Sequence, residues 1–124
     1  MTSFCKQQLT DAGMDVADAL ERLMGSEALL ERLLKKFLED ENYQKLCTAL
    51  ECADQEAAVA AAHTLKGVCG NLSLTVLYPL FTRQVEALRQ GDWPAARALM
   101  EEIQPAYLHL TEAVRSAADC HEAG

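Results

Sequence analysis

The chain has 124 residues, half of them hydrophobic and 24% charged, with a formal net charge of −8. That length suits a single domain (1–124) with a core of its own and leaves no room for a two-domain enzyme. The acidic balance argues against nucleic acid and against anionic membranes, which call for clustered Lys and Arg. The lack of an apolar run near the roughly 20 residues of a span, or of a basic-then-apolar leader, predicts a cytosolic protein.

Aromatic residues are few, Ala and Leu are abundant, and Gly and Pro fall mostly between apolar-periodic stretches. Helices are therefore expected throughout. In chain order, Phe4, Cys5 and Leu9 suggest a short leading helix within an N-terminal arm, 1–12. Val16, Ala19, Leu20 and Leu23 follow at helical spacing and stop at Gly25, and Ser26-Glu27 then opens a helix with a broad stripe of Leu29, Leu30, Leu33, Leu34, Phe37 and Leu38. After the polar break Asp40-Glu41-Asn42, a helix carrying Leu46, Cys47, Ala49 and Leu50 ends near Asp54, and another runs from Gln55 to about Leu72. Ser73 or Thr75 can cap the next, which carries Leu77, Leu80, Phe81, Val85 and Leu88 up to Gly91. Asp92 with Pro94 opens the last helix, expected to reach about Ala118 with a kink or break at Pro105, before a frayed tail over 119–124. Short links between such helices predict an all-α fold, an antiparallel four-helix bundle with an additional short N-terminal helix.

The five cysteines form an odd set without CxxC spacing, so packed, reduced thiols are expected and no metal site is indicated. Cys120-His121 is a weak ligand pair, His109 and His121 read as surface and tail residues, and Trp93 beside Pro94 as the closure of a helix junction.

The stretch Ala61 to Leu74, AAHTLKGVCGNLSL, is the unusual one. At about 100° per residue, Ala58, Ala61, Leu65, Val68 and Leu72 share a core stripe, and His63 projects from the opposite side. Beside it lie Val59 and Ala60 one turn back, Lys66 and Gly67 one turn on, and Gly70 two turns on. Interior helical glycine costs about 1 kcal/mol relative to alanine. The helix could simply end at Gly67, but the apolar stripe continues to Leu72. The glycines could serve close helix packing, but they lie off that stripe. The favoured reading is that bulk has been removed around an imidazole so that another protein can approach it. Neutral imidazole is a good nucleophile near pH 7, and Lys66 stands where its ammonium can meet phosphoryl oxygens. No glycine-rich phosphate loop is present, so a phosphoryl group must come from a partner.

These residues, His63-Thr64-Leu65-Lys66-Gly67 above all, resemble the signature of the histidine-phosphotransfer domains of two-component phosphorelays, with looser similarity in Gly13–Leu23, at Phe37 and in Ala87–Asp92. The resemblance implies a phosphocarrier and not an enzyme, with His63 as phosphoacceptor through Nε2, Lys66 as phosphate-stabilising cation and Gly67 as the small residue that admits a receiver domain. It implies that Ala60, Gly67, Gly70 and Leu74 form the receiver-docking surface, and that a polar side chain of the following helix, Gln84 or else Arg83, meets the imidazole or phosphate. The implied partners are receivers of response regulators or hybrid kinases. No cofactor is implied for this chain, Mg²⁺ belonging to the receiver, and a monomer is expected. Ser73 departs from the pattern, in which glycine often stands ten residues after the histidine. Two other readings remain: an interaction or scaffold module of the same fold without relay activity, and the phosphotransfer segment of a larger sensor kinase. Retention of both His63 and Lys66 speaks against the first, and a start at Met1 without a linker against the second.

Overall fold

A computed structural model describes the backbone of residues 1–123 and the side chains of 1–117. The chain forms helices α1 (Ser3–Asp11), α2 (Val16–Arg22), α3 (Glu27–Glu39), α4 (Asn42–Cys52), α5 (Gln55–Asn71), α6 (Leu77–Arg89) and α7 (Trp93–Ala123), with no strand among the described residues. The bundle is built by packing α4 on α5, α5 on α6, α6 on α7, and α3 on α7. Helices α3 and α4 are separated only by Asp40 and Glu41, yet pack on different partners, so together they act as one bundle member. The Asp40 carboxylate accepts from the Asn42 N–H at 2.7 Å and sets the bend between them. Tyr43 stacks on Tyr107 with centroids 4.0 Å apart, and Phe37 meets the same ring at 5.4 Å, so this bend is anchored to α7.

The N-terminal addition comprises α1 and α2, the two short helices that the apolar spacing predicts. Helix α1 packs on α7, and α2 bridges α1 and α3, with Lys6 Nζ 2.6 Å from the Glu27 carboxylate. Side-chain caps begin the helices where the sequence predicts them: Ser26 accepts from the Leu29 N–H, Asp54 from Ala57 and Asp92 from Ala95. Trp93 lies under the Arg97 guanidinium at 5.3 Å, and Arg97 donates to the Leu50 carbonyl, closing the junction between α4 and α7.

Several expectations are corrected. Helix α7 runs through Pro105 without a break; Glu101, whose carbonyl loses its i+4 donor, and Pro105 are both exposed residues, where water can serve a carbonyl left without its donor. The same helix is assigned beyond Ala118 to Ala123, and the tail expected over 119–124, with Cys120 and His121, lies outside the residues whose side chains are described. On α5 the core stripe includes Ala62 and Cys69, while Val68 is only half-buried. Burial pushes the Cys69 thiol up to about 12, as befits a packed, unreactive cysteine.

Neither Ser73 nor Thr75 caps α6, whose N-cap, Val76, makes no side-chain bond. Thr75 Oγ1 donates to the Gly13 carbonyl instead. Ser73 closes the end of α5: the Leu74 N–H reaches back to the Cys69 carbonyl at 2.9 Å, and the Ser73 N–H to Gly70 at 3.3 Å. This is a Schellman ending, and Ser73 takes its left-handed position at φ 54°. The geometry accounts for the glycine that the family pattern puts there. A non-glycine residue at that φ costs about 1 kcal/mol. Ser73 offsets part of that cost by donating Oγ–H to the Asp18 carboxylate on α2, while its carbonyl accepts from the Asp15 N–H at 2.9 Å. The hydrogen bond from Ser73, and next the one from Arg22, hold the Asp18 carboxyl below its ordinary value. The Schellman turn also delivers Leu74 inward, 1% exposed and bridged to Met14.

Helix α6 buries Leu77, Leu80, Phe81, Gln84, Val85 and Leu88, an unbroken i, i+3, i+4 stripe with a glutamine in it. Gln84 is 0% exposed; its amide donates to Met100 Sδ at 3.6 Å, and its Oε1 accepts from no described residue.

Three outcomes test this description. Ser73→Gly and Ser73→Ala both lose the hydroxyl, but only alanine keeps the backbone strain. Ser73→Gly should therefore be the more stable of the two by about 1 kcal/mol, or roughly 4 °C in Tm. Because the folded Asp18 carboxyl sits below its unfolded value, its contribution is complete above about pH 4 and fades as pH falls through the lowered value. Urea titrations across that range should show an acid loss that is smaller in Ser73→Ala. Gln84→Met, close in shape, removes a buried acceptor without a donor and should raise the unfolding free energy by about 1 kcal/mol.

Candidate functional site

Helix α5 presents His63 because its other faces are taken. Ala58, Ala61, Ala62, Leu65 and Cys69 are buried, and the helix is packed on one side by α4 and on the other by α6. Its N-terminus is fixed by the Asp54 cap and by Gln55, whose amide donates to the Leu88 carbonyl at 2.7 Å, and its C-terminus by the Ser73 ending. With both ends pinned, the helix has one rotation available, and at that rotation His63 is exposed. Among the described residues neither imidazole nitrogen is engaged in a hydrogen bond or ion pair, and the Lys66 ammonium one turn on has no carboxylate partner. The neighbouring Thr64 hydroxyl is occupied locally, donating to the Ala60 carbonyl at 3.0 Å.

The two glycines prove to be different. A Cβ on Gly67 would meet nothing within 4 Å, so no contact within the fold requires glycine there. A Cβ on Gly70 would lie 3.2 Å from Tyr78 Cε2. Gly70 is the seat of an aromatic ring from α6, and close packing explains it although it lies off the core stripe.

Two shallow grooves flank this strip. The one between α4 and α5 is lined by Ala57, Ala60 and Thr64 against Lys45, Thr48 and Cys52. The other, over the C-terminal half of α5, has Gly67, Gly70 and Asn71 as its floor, Tyr78 and Pro79 on one wall, and Asp18 and Arg22 on the other.

His63, Ala60 and Gly67 are thus exposed together on one face of α5, with half-buried Lys66 and Gly70 beside them. Two expected members of the site are not among these exposed groups. Leu74 is carried inward by the Schellman turn; it borders the bottom of the groove over Gly67 and Gly70 but, 1% exposed, offers a partner almost no surface. Gln84 is enclosed on the core stripe of α6 and turned toward Met100, so it is not the polar group at the imidazole. Arg83, the alternative, is exposed, with Nη1 3.9 Å from the Glu102 carboxylate of α7. Residues that sequence reading missed are Tyr78, Asp18 and Arg22, which reach the strip only through the α5–α6 turn and the docking of α2. No local pattern announces them.

Phosphoryl transfer to histidine requires an accessible nucleophilic nitrogen, a cation for the phosphoryl oxygens, and clearance for a macromolecular donor. The α5 face supplies each of these from one helix. Comparison with curated proteins gives no match, and neither does comparison with solved structures. The model of the Hpt domain matches residues 28–118, which takes in α3 through α6 and most of α7. The chain therefore belongs to the Hpt domain family, helical phosphocarriers of two-component signalling that lack kinase activity and interact with receiver domains.

Proposed function

We propose that this protein relays a phosphoryl group between receiver aspartates through His63. The observation that carries the reading is Gly67. It is a helical glycine one turn from an exposed, unengaged imidazole, at a position where the fold itself has no need of glycine. Its cost of about 1 kcal/mol against alanine is understandable if an outside body must come close there.

In the forward step the lone pair of Nε2 attacks the phosphorus of a receiver aspartyl phosphate. The N–P bond forms as the P–O bond to the aspartate breaks, and the carboxylate leaves with that electron pair. The imidazole ring carries the positive charge while its Nδ1 keeps its proton. Return runs the same way, with a second receiver's carboxylate as nucleophile and the neutral imidazole as leaving group. Lys66 meets the non-bridging phosphoryl oxygens at both stages. The divalent cation and the acceptor carboxylate belong to the receiver. Retention of both His63 and Lys66 favours an active carrier over a scaffold that has kept only the fold.

With an acetyl-phosphate-charged receiver as donor, His63→Gln should take up no acid-labile, alkali-stable label. Lys66→Ala should slow uptake by roughly 10- to 100-fold, the lower range for a lost charge-stabilising donor at a solvent-open site. Gly67→Ala should raise the unfolding free energy by about 1 kcal/mol, and Gly67→Gln should fold yet accept label more slowly than Gly67→Ala. Undiminished labelling of His63→Gln would overturn the proposal, as would a Gly67→Gln protein that is labelled as fast as the wild type.

A further inference from the structure

Transfer to His63 requires the donor phosphorus and the accepting nitrogen to lie roughly 3 to 3.5 Å apart, so the partner's surface must touch α5. Even a transient protein contact covers on the order of 600 Å² on each partner, a disc of about 14 Å radius if flat. Gly70 is seven residues beyond His63 on the same face, about 10 Å along the axis at roughly 1.5 Å per residue. The groove over Gly67 and Gly70 is therefore inside the footprint of any partner centred on His63.

That footprint is not uniform. On the α4 side the groove is lined by small residues of α5 and by Lys45, Thr48, Ala49 and Cys52 of α4, with no aromatic ring among them. On the α6 side stands Tyr78, 42% exposed, with its ring edge against Gly70 and its other contacts leaving part of the ring open to solvent. Among the described residues Phe4 is the other large aromatic exposed to this degree, and it belongs to α1, which packs on α7. Binding energy at protein interfaces concentrates on a few aromatic or arginine anchors near the centre of the contact. Tyr78 is rigid for such a role: its backbone is helical, and Gly70 provides a seat that a side chain would obstruct.

Resting on the relay reading above, we infer that Tyr78, seated on Gly70, is the apolar anchor by which the receiver domain docks, and a specificity-determining residue for transfer to His63. It touches neither phosphoryl group nor imidazole in this role. Its effect therefore belongs to the encounter and not to the chemistry, which makes it separable from Lys66. Gly70 follows as a positioning residue, since the 3.2 Å approach of a Cβ must displace the ring by a few tenths of an ångström.

The test uses the whole chain with two phosphodonors: phosphoramidate, which is small and needs no docking, and the fastest of a set of acetyl-phosphate-charged receiver domains. Tyr78→Ala should raise KM for the receiver by about tenfold or more with kcat changed less than threefold, and leave phosphoramidate labelling of His63 within twofold of wild type. That labelling and the helical circular dichroism report that the variant is folded. Tyr78→Phe keeps the ring and should stay within threefold of wild type for both donors, and Gly70→Ala should fall between Phe and Ala. A Tyr78→Ala KM within twofold of wild type would overturn the inference, as would a Tyr78→Phe defect equal to that of Ala. If wild-type His63 is labelled by neither donor, or by phosphoramidate but by no receiver, it is the relay reading that fails, and this inference with it.

Discussion

The rotation of α5 about its own axis is the constraint on which the site depends. Small buried side chains, Ala58, Ala61 and Ala62, line its inner faces, so α4 and α6 pack on both sides with little room for the helix to turn. Turning it by one residue, about 100°, would take Leu65 out of the core and put the imidazole in. The ends resist the same motion: the Asp54 cap and the Gln55 bond to Leu88 hold one, and the Schellman turn with its Ser73–Asp18 bond holds the other. The exposure of His63 is thus imposed by groups up to two or three turns away, none of which touches it. Unfavourable local choices are tolerated along this helix because its packing is so well determined elsewhere.

Those choices are unequal in meaning. At Gly70 the propensity cost of a helical glycine is offset inside the molecule by the ring of Tyr78. At Ser73 the left-handed backbone is offset, in part, by the carboxylate of Asp18. Gly67 has no internal compensation, and it lies one turn from the imidazole on the open face. A cost that the fold does not offset, placed beside an unengaged nucleophile, is what a surface shaped by an external partner should look like. The scaffold reading explains the fold equally well but gives no reason for that placement.

Much of this was legible in the chain itself. Helical periodicity located all seven helices, the caps at Ser26 and Asp92, and the outward projection of His63 with Lys66 and Gly67. What failed did so for identifiable reasons. The i, i+3, i+4 spacing of Phe81, Gln84, Val85 and Leu88 already put Gln84 on the core stripe, and only the expectation of a polar partner drew it outward. Leu74, three residues past the end of α5, is placed on the docking surface by the family resemblance alone; a Schellman turn folds its second residue back over the helix, and serine does not advertise one. The Tyr78–Gly70 contact and the Ser73–Asp18 bond join residues 8 and 55 positions apart, and such pairings are settled by how the elements dock and not by any local pattern. The break expected at Pro105 is absent because the residue sits at an exposed position, where water can serve the carbonyl that loses its donor.

The central claim is that His63 both receives and gives up a phosphoryl group. The most direct measurement is a two-receiver chase, in which one receiver is charged with labelled phosphate and the second is not, with the carrier added in substoichiometric amount. The account predicts that label reaches the second receiver only when the wild-type chain is present, passing through a transient acid-labile, alkali-stable species on His63. Label that crosses equally well with His63→Gln, or that stays on the wild-type chain and never reaches the second receiver, would contradict it.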